Sequence, residues 1–300
     1  MLQFPFDIPD NKKIRLIINS DAKNEADDQF AIVHALLTPQ FIVKGVIGAH
    51  FGEYRTNTSM QESYEEIVKV VELMDLNDEI SVYKGADRAL PDEQTPVMSE
   101  GAELIIREAF SSDPHPLFVI FLGPITDLAA AFLREPSIAN KLTAIWVGGG
   151  PWPNGGHEYN LSNDINAANI IFRSNIQLWV VPQNVYSTIK VSISELAVRV
   201  KPFGDIGDYL YQQLVDFNLG PWAGWTKGEM WSMGDSTAVA LLMDDHAFGY
   251  EWRPAPRIST DMWYVHEQQE RLIRWYHHID PRFTLEDMYA KLKIHYGNKL

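Results

Sequence analysis

The stretch "IRLIINSDAKNEADDQFAIVHALL" (residues 14–37) carries three kinds of sequence in succession. Residues 14–19, "IRLIIN", form an apolar run that reads as a buried strand. Residues 27–37, "DDQFAIVHALL", follow with helical spacing. Between and at the edge of them four acidic residues, Asp21, Glu25, Asp27 and Asp28, crowd into eight positions. A strand that runs through a polar loop into a helix is the opening unit of an α/β sheet. In such sheets ligands bind at the carboxyl ends of the strands.

The acidic loop fits two readings. Asp27 and Asp28 begin a helix, where carboxylates are favoured by the helix N-terminus, so the group is either a cap within a solvated loop or a cation site. Carboxylates brought within ~4 Å of one another repel by roughly 4 kcal/mol per pair at an effective dielectric near 20. A hard cation removes that cost. Oxygen ligands with no cysteine and no nearby histidine select calcium or magnesium rather than zinc.

Outward from this unit the pattern repeats. Apolar runs at 41–49, 79–85, 117–123, 142–150 and 176–182 alternate with helix-period segments at 57–76, 99–110, 126–133 and 164–173. The alternation predicts an α/β fold, a mainly parallel, doubly wound (Rossmann-like) sheet with helices on both faces. Residues 192–232 break the rhythm, with helices at 192–199 and 204–218 and the loop "LGPWAGWTKGEMWSMG" (219–234). A helix at 235–243, strands near 249–252, 258–264 and 271–277, and a helix from about 282 complete the pattern. With no linker or internal repeat, 1–300 reads as one domain, with 192–232 a helical and Trp-rich insertion at the rim of the site.

Composition narrows the function. The apolar fraction of 46% supports a sizeable core, and a net charge of −15 argues against nucleic acid and anionic membrane as partners. The chain has no cysteine, which excludes disulfides, thiolate metal sites and cysteine nucleophiles. No run approaches the length of a membrane span, and Pro5 and Asp7 interrupt what a signal peptide would keep apolar, so a cytoplasmic enzyme is expected. Nine tryptophans serve either as core or as the walls of a pocket for a flat or sugar-like ligand.

Several motifs then fall in an order that resembles the inosine-uridine preferring nucleoside hydrolases. That family opens with a strand running into D-x-D-x-x-x-D-D, matched here by Asn19-Ser20-Asp21 and Asp27-Asp28. "LGPITDLAAAF" (122–132), "IWVGGG" (145–150), "HEYNLSNDINAANIIFRSNI" (157–176) and "MGDSTAVALL" (233–242) are similar to its later landmarks. "YKGADRAL" (83–90) and "IDPRFTLEDMYAKL" (279–292) also fit, so the resemblance spans nearly the whole chain.

The resemblance implies a calcium ion held by Asp21, Asp28, the carbonyl of Thr126 and Asp235. It implies Asp21 as the base that activates water for cleavage of a ribonucleoside to free base and ribose. It further implies that Asp27, Glu158, Asn160 and Asp235 bind the sugar, and that the chain forms a homodimer or homotetramer. Trp231, with Trp222 and Trp225, sits in the loop expected to cover the leaving group.

The chain departs from that pattern at four places. The loop between Asp21 and Asp27 is two residues longer than the family's, with "AKNEA" replacing Pro-Gly. Gly52 stands where the family has an asparagine, beside His50, which reads either as a core-edge histidine or as a replacement polar group that touches substrate. Gly234 replaces the histidine implied in protonating the leaving group, which leaves Glu229 or His50 as substitutes. Asn184 stands where aspartate is common. These changes keep two alternatives open: a hydrolase of a non-nucleoside pentoside or other carbohydrate, and a weakly active metal- and sugar-binding homologue.

Overall fold

The computed structural model describes residues 4–246, 248–267 and 270–297. The strands, in chain order, are β1 (Ile14–Ser20), β2 (Phe41–Gly48), β3 (Val82–Lys84), β4 (Leu117–Phe121), β5 (Thr143–Val147) and β6 (Gln177–Val181). They continue with β7 (Lys190–Ser192), β8 (Met230–Ser232), β9 (Gly249–Pro254), β10 (Arg257–Ile258), β11 (Tyr264–Val265) and β12 (Leu272–His278). The helices are α1 (Asp28–Leu36), α2 (Ser59–Leu73), α3 (Glu100–Ala109), α4 (Thr126–Arg134), α5 (Tyr159–Asn163) and α6 (Ile165–Arg173). Then follow α7 (Gln183–Tyr186), α8 (Ile193–Arg199), α9 (Gly204–Asn218), α10 (Ser236–Met243) and α11 (Pro281–Tyr296).

Eight strands form one sheet in the order β3-β2-β1-β4-β5-β6-β12-β9. Every neighbouring pair is parallel except β12 with the edge strand β9. The expected mainly parallel, doubly wound sheet is therefore present. The strand order reverses between β1 and β4, which pair from Arg15 with Leu117 to Asn19 with Phe121. A crevice opens at such a reversal, beyond the carboxyl ends of the strands.

Helices cover both faces, so β1 is buried along its whole length instead of alternating. Leu16 and Ile18 join the core formed with α1, α2, α9, α10 and α11, and Ile17 joins the core on the other face with α3, α4 and α6. Helix α1 is buried at every residue, because α2, α10 and α11 pack around it on the sheet.

Two expectations about the elements change. The run 258–264 is not one strand but two short strands, β10 and β11, joined by a turn with Met262 at a φ of 66°. The segment 192–232 contains α8 and α9 as expected, and its ends also form the antiparallel pair β7–β8. That pairing joins Val191 to Trp231 across forty residues of chain, a contact that local periodicity does not report.

Candidate active site

The carboxyl ends of β1, β4, β5 and β6 converge on a cavity of about 390 Å3. Asp21 follows β1 directly and Leu122 follows β4, so the two flank the reversal point. Asp21 is 1% exposed. A Cβ at Gly123 would stand 2.6 Å from its Oδ1, so only glycine lets the β4 turn pass this close. Its Oδ2 has no hydrogen-bond partner.

Asp27, Asp28 and Asp235 close the floor, with carboxylate oxygens within 4.8 Å of one another. Asp28 Oδ1 accepts a hydrogen bond from the Ser20 hydroxyl at 2.6 Å, and Asp27 Oδ2 accepts from the Asp235 backbone N–H at 3.2 Å. Asp27 precedes α1 and Asp235 precedes α10, yet neither side chain makes a cap hydrogen bond. Both line the cavity instead, so the cap alternative does not describe Asp27.

Burial first, then the neighbouring carboxylates Asp28, Glu25 and Asp27, hold the Asp21 carboxyl well above the ordinary range. Asp235 is raised likewise by burial and by Asp28, Asp27 and Asp21. Burial and Asp27 push Asp28 up to about 7. Burial raises Asp27 less, to about 6, because the Asp235 N–H and the Trp231 indole favour its charged form. Burial raises all four carboxyl groups, neighbouring carboxylates raise Asp21, Asp28 and Asp235 further, and Asp21 has an orphaned oxygen. An oxygen-only set of this kind fits a hard divalent cation.

Glu158 and Asn160 also line the cavity. Glu158 accepts from the backbone N–H groups of Gly149, Asn160 and Leu161 and from the Tyr186 hydroxyl, and so caps the short α5. Asp164 caps α6 through the Ala167 N–H. The Asn160 amide donates to the carbonyls of Leu122 and Val147 at 2.7 and 2.9 Å and ties the ends of β4 and β5 together.

Three expected residues lie elsewhere. Thr126 is outside the cavity: the turn 123–125 carries the chain away from the rim, and Thr126 starts α4 with its hydroxyl donated to Asp164. Leu122, at the strand end itself, occupies the lining position. His50 is buried behind Thr126, with Nε2 2.9 Å from the Thr126 Oγ1, and burial pushes it down to about 4. It lines a neighbouring cavity instead, one that shares His157 and Tyr159 with the first. Trp231 is fully buried on β8, packed against Phe217 and Trp225. Ser232 and Trp225 are on the cavity wall, whereas Trp231 is not and meets the site only through its indole beside Asp27.

Two features lay outside the expected set. Tyr186, on the one-turn helix α7, lines the cavity and packs on Gly234, where an added Cβ would meet its ring at 2.8 Å. Asp127 is buried, and it accepts from Asn19, the Ala86 N–H and the Ser99 hydroxyl. It braces the strand ends from outside the cavity.

The longer loop has a defined course. Lys23 turns outward to Glu66 at 2.8 Å, and Asn24 is held by the Arg55 guanidinium. Glu25 turns into the cavity, where burial, Asp27 and Asp28 push it up to about 8.

A model of the inosine-uridine preferring nucleoside hydrolase family matches residues 16–286. Uridine nucleosidase 1 of Arabidopsis thaliana is 26% identical, over 62% of this chain and 61% of that one, so the match spans about three-fifths of that relative's length. The pyrimidine-specific ribonucleoside hydrolase RihA of Citrobacter koseri is 24% identical, over 74% of this chain and 77% of that one. Among solved structures, the purine-preferring ribonucleoside hydrolase from Gardnerella vaginalis superposes with a TM-score of 0.76 at 19% identity, covering 94% of this chain and 99% of that one. At that identity the likeness speaks for the fold.

Proposed function

This chain belongs to the inosine-uridine preferring nucleoside hydrolase family, and on that footing we propose that it hydrolyses the N-glycosidic bond of a ribonucleoside with calcium bound at the acidic floor. The observation that carries the reading is the convergence of Asp21, Asp27, Asp28 and Asp235 on one cavity at the strand-order reversal. Asp21, Asp28 and Asp235 are the residues proposed to hold the cation. Bound there, calcium would supply positive charge that offsets theirs and would order a water molecule. Asp21, with one oxygen free of protein partners, is the proposed base that takes the proton from a water attacking the anomeric carbon. Asp27, Glu158, Asn160 and Asp235 orient the sugar hydroxyls, and the negative charge of the three carboxylates stabilises the oxocarbenium-like transition state.

A second reading, hydrolysis of another pentoside, is favoured by one observation: the space beside Gly234 is filled by the Tyr186 ring, so no acid stands where the family's leaving-group histidine is implied. Ribose release from uridine, inosine and p-nitrophenyl riboside, with calcium analysis of the same protein, tests both. Cleavage of the nucleosides with one calcium per chain is expected. Release from the nitrophenyl riboside alone would move the assignment to the second reading. No bound divalent metal, with no effect of added calcium, would overturn the site.

A further inference from the structure

Resting on the nucleoside hydrolase reading, we infer that Glu25 is the proton donor to the leaving group, the role that Gly234 leaves open. The substitutes that the sequence offered do not reach the reaction. His50 is buried behind Thr126, and Glu229 does not line the cavity. Glu25 does line it. It comes from the longer loop between Asp21 and Asp27, so one departure from the family's pattern supplies the group that another removes.

The other ionisable groups on the wall are committed. Asp21, Asp28 and Asp235 are assigned to the cation, and Asp27 to the sugar. Both oxygens of Glu158 already accept two hydrogen bonds each, which leaves no position for a proton to give. The Tyr186 hydroxyl donates to Glu158 Oε1 at 2.8 Å, and the Tyr159 hydroxyl donates to the Phe51 carbonyl at 3.3 Å. His157 is on the wall too, but it is exposed. No hydrogen bond ties up the Glu25 carboxyl among the described residues.

The loop is pinned so that this side chain turns inward. Lys23 pairs with Glu66 outside the cavity. The Arg55 guanidinium donates to the carbonyl and to the Oδ1 of Asn24, and lies over the rings of Phe51, Phe217 and Trp222. Burial first, then Asp27 and Asp28, push the Glu25 carboxyl up to about 8 against the weaker pull of Arg55, so it carries its proton near neutral pH. A cation on the floor offsets part of the repulsion from Asp27 and Asp28, while burial, the larger cause, remains. In the reaction, water forms the new bond to the anomeric carbon and gives a proton to Asp21. The C–N bond breaks with its electron pair going into the base, which takes the Glu25 proton and leaves neutral. Exchange with solvent then returns Asp21 to its carboxylate and Glu25 to its acid.

The test uses the calcium-loaded protein and compares kcat/KM for uridine and inosine with that for p-nitrophenyl riboside, whose nitrophenolate leaves without a proton. Glu25→Gln keeps the size of the side chain and removes the acid. It is expected to lower cleavage of the nucleosides by about 10²-fold more than cleavage of the nitrophenyl riboside. That ratio is taken within one variant, so partial misfolding does not move it, and a merely structural role would lower all the substrates alike. His157→Gln is expected to leave the ratio unaltered. An equal loss on every substrate in the Glu25 variant, or no loss on any, would overturn the inference and leave the hydrolase reading standing. The selective loss appearing in the His157 variant instead would do the same. Cleavage of the nitrophenyl riboside alone by the parent would overturn the inference and move the function to the second reading. Release from none of the substrates by the parent would overturn both.

Discussion

The two ends of helix α1 bury charge in opposite ways. At its N-terminal end Asp28 joins Asp21, Asp27 and Asp235, like charges with one another for neighbours. Near its C-terminal end His34 lies 2.7 Å from Asp287, Asp287 pairs with Lys291, Lys291 reaches the Thr38 hydroxyl at 2.8 Å, and that hydroxyl donates to the His34 carbonyl. The second group is a closed circuit in which acid meets base. The first brings together carboxylates alone. One nine-residue helix therefore carries a paired polar cluster and an acidic one, and pairing rather than burial separates them.

The strongest test removes one charge from the open end. Asp21→Asn is expected to lower kcat for a cleaved riboside by about 10³-fold, within the range for a positioned general base. The calcium-free variant should unfold at a temperature equal to or above that of the parent, because one repelling carboxylate is gone. Full turnover in the variant would remove Asp21 as the base. A clear loss of calcium-free stability would remove the repulsion argument.

The closed end should answer to pH. Burial pushes His34 down from 6.5 to about 4, so the folded protein keeps the ring neutral while the unfolded chain protonates it. The stability that neutral His34 gives is present above 6.5 and is lost as pH falls toward 4. A shift of this size corresponds to about 3 kcal/mol. Urea unfolding of the parent and of His34→Gln, measured from pH 7 to 4, should show the parent's advantage shrinking over that window. A constant difference would place the His34 ring in water-like surroundings.

Calcium should act only at the open end. At a calcium concentration one hundred times its Kd the gain is about 2.7 kcal/mol. It should survive in Asp287→Asn and fall in Asp28→Asn, as read from melting curves with and without chelator. Equal gains in both variants would place the cation elsewhere.

The contrast between near and far contacts also separates what could be read in the chain from what could not. The run 14–19, the helix after it and the carboxylates between them are neighbours in sequence, so the strand, the helix and the strand-end site were legible together. The identity of the wall tryptophan was not. Trp231 faces inward because β8 pairs with β7, and Trp225 inherits the cavity. Thr126 and Leu122 are separated by a single turn, and only the path of 123–125 decides that the strand end, not the helix start, lines the site. The course of Lys23, Asn24 and Glu25 depends on Glu66 and Arg55, which arrive from α2 and the loop before it.

The smallest effect expected is also the sharpest contrast. Asp287→Asn makes the same chemical change as Asp21→Asn, a carboxylate replaced by its amide. At the closed end it strips Lys291, 8% exposed at its side chain, of its counter-charge and weakens the partner of His34. A loss of roughly 1–2 kcal/mol is expected, moderated because the Asp287 side chain is 28% exposed, with kcat/KM unchanged. The urea midpoint should fall at constant slope. One substitution would then stabilise the calcium-free protein at Asp21 and destabilise it at Asp287. If both variants lose stability alike, the two ends of α1 bury charge on the same terms, and the acidic floor is a packed structural cluster rather than a site waiting for a cation.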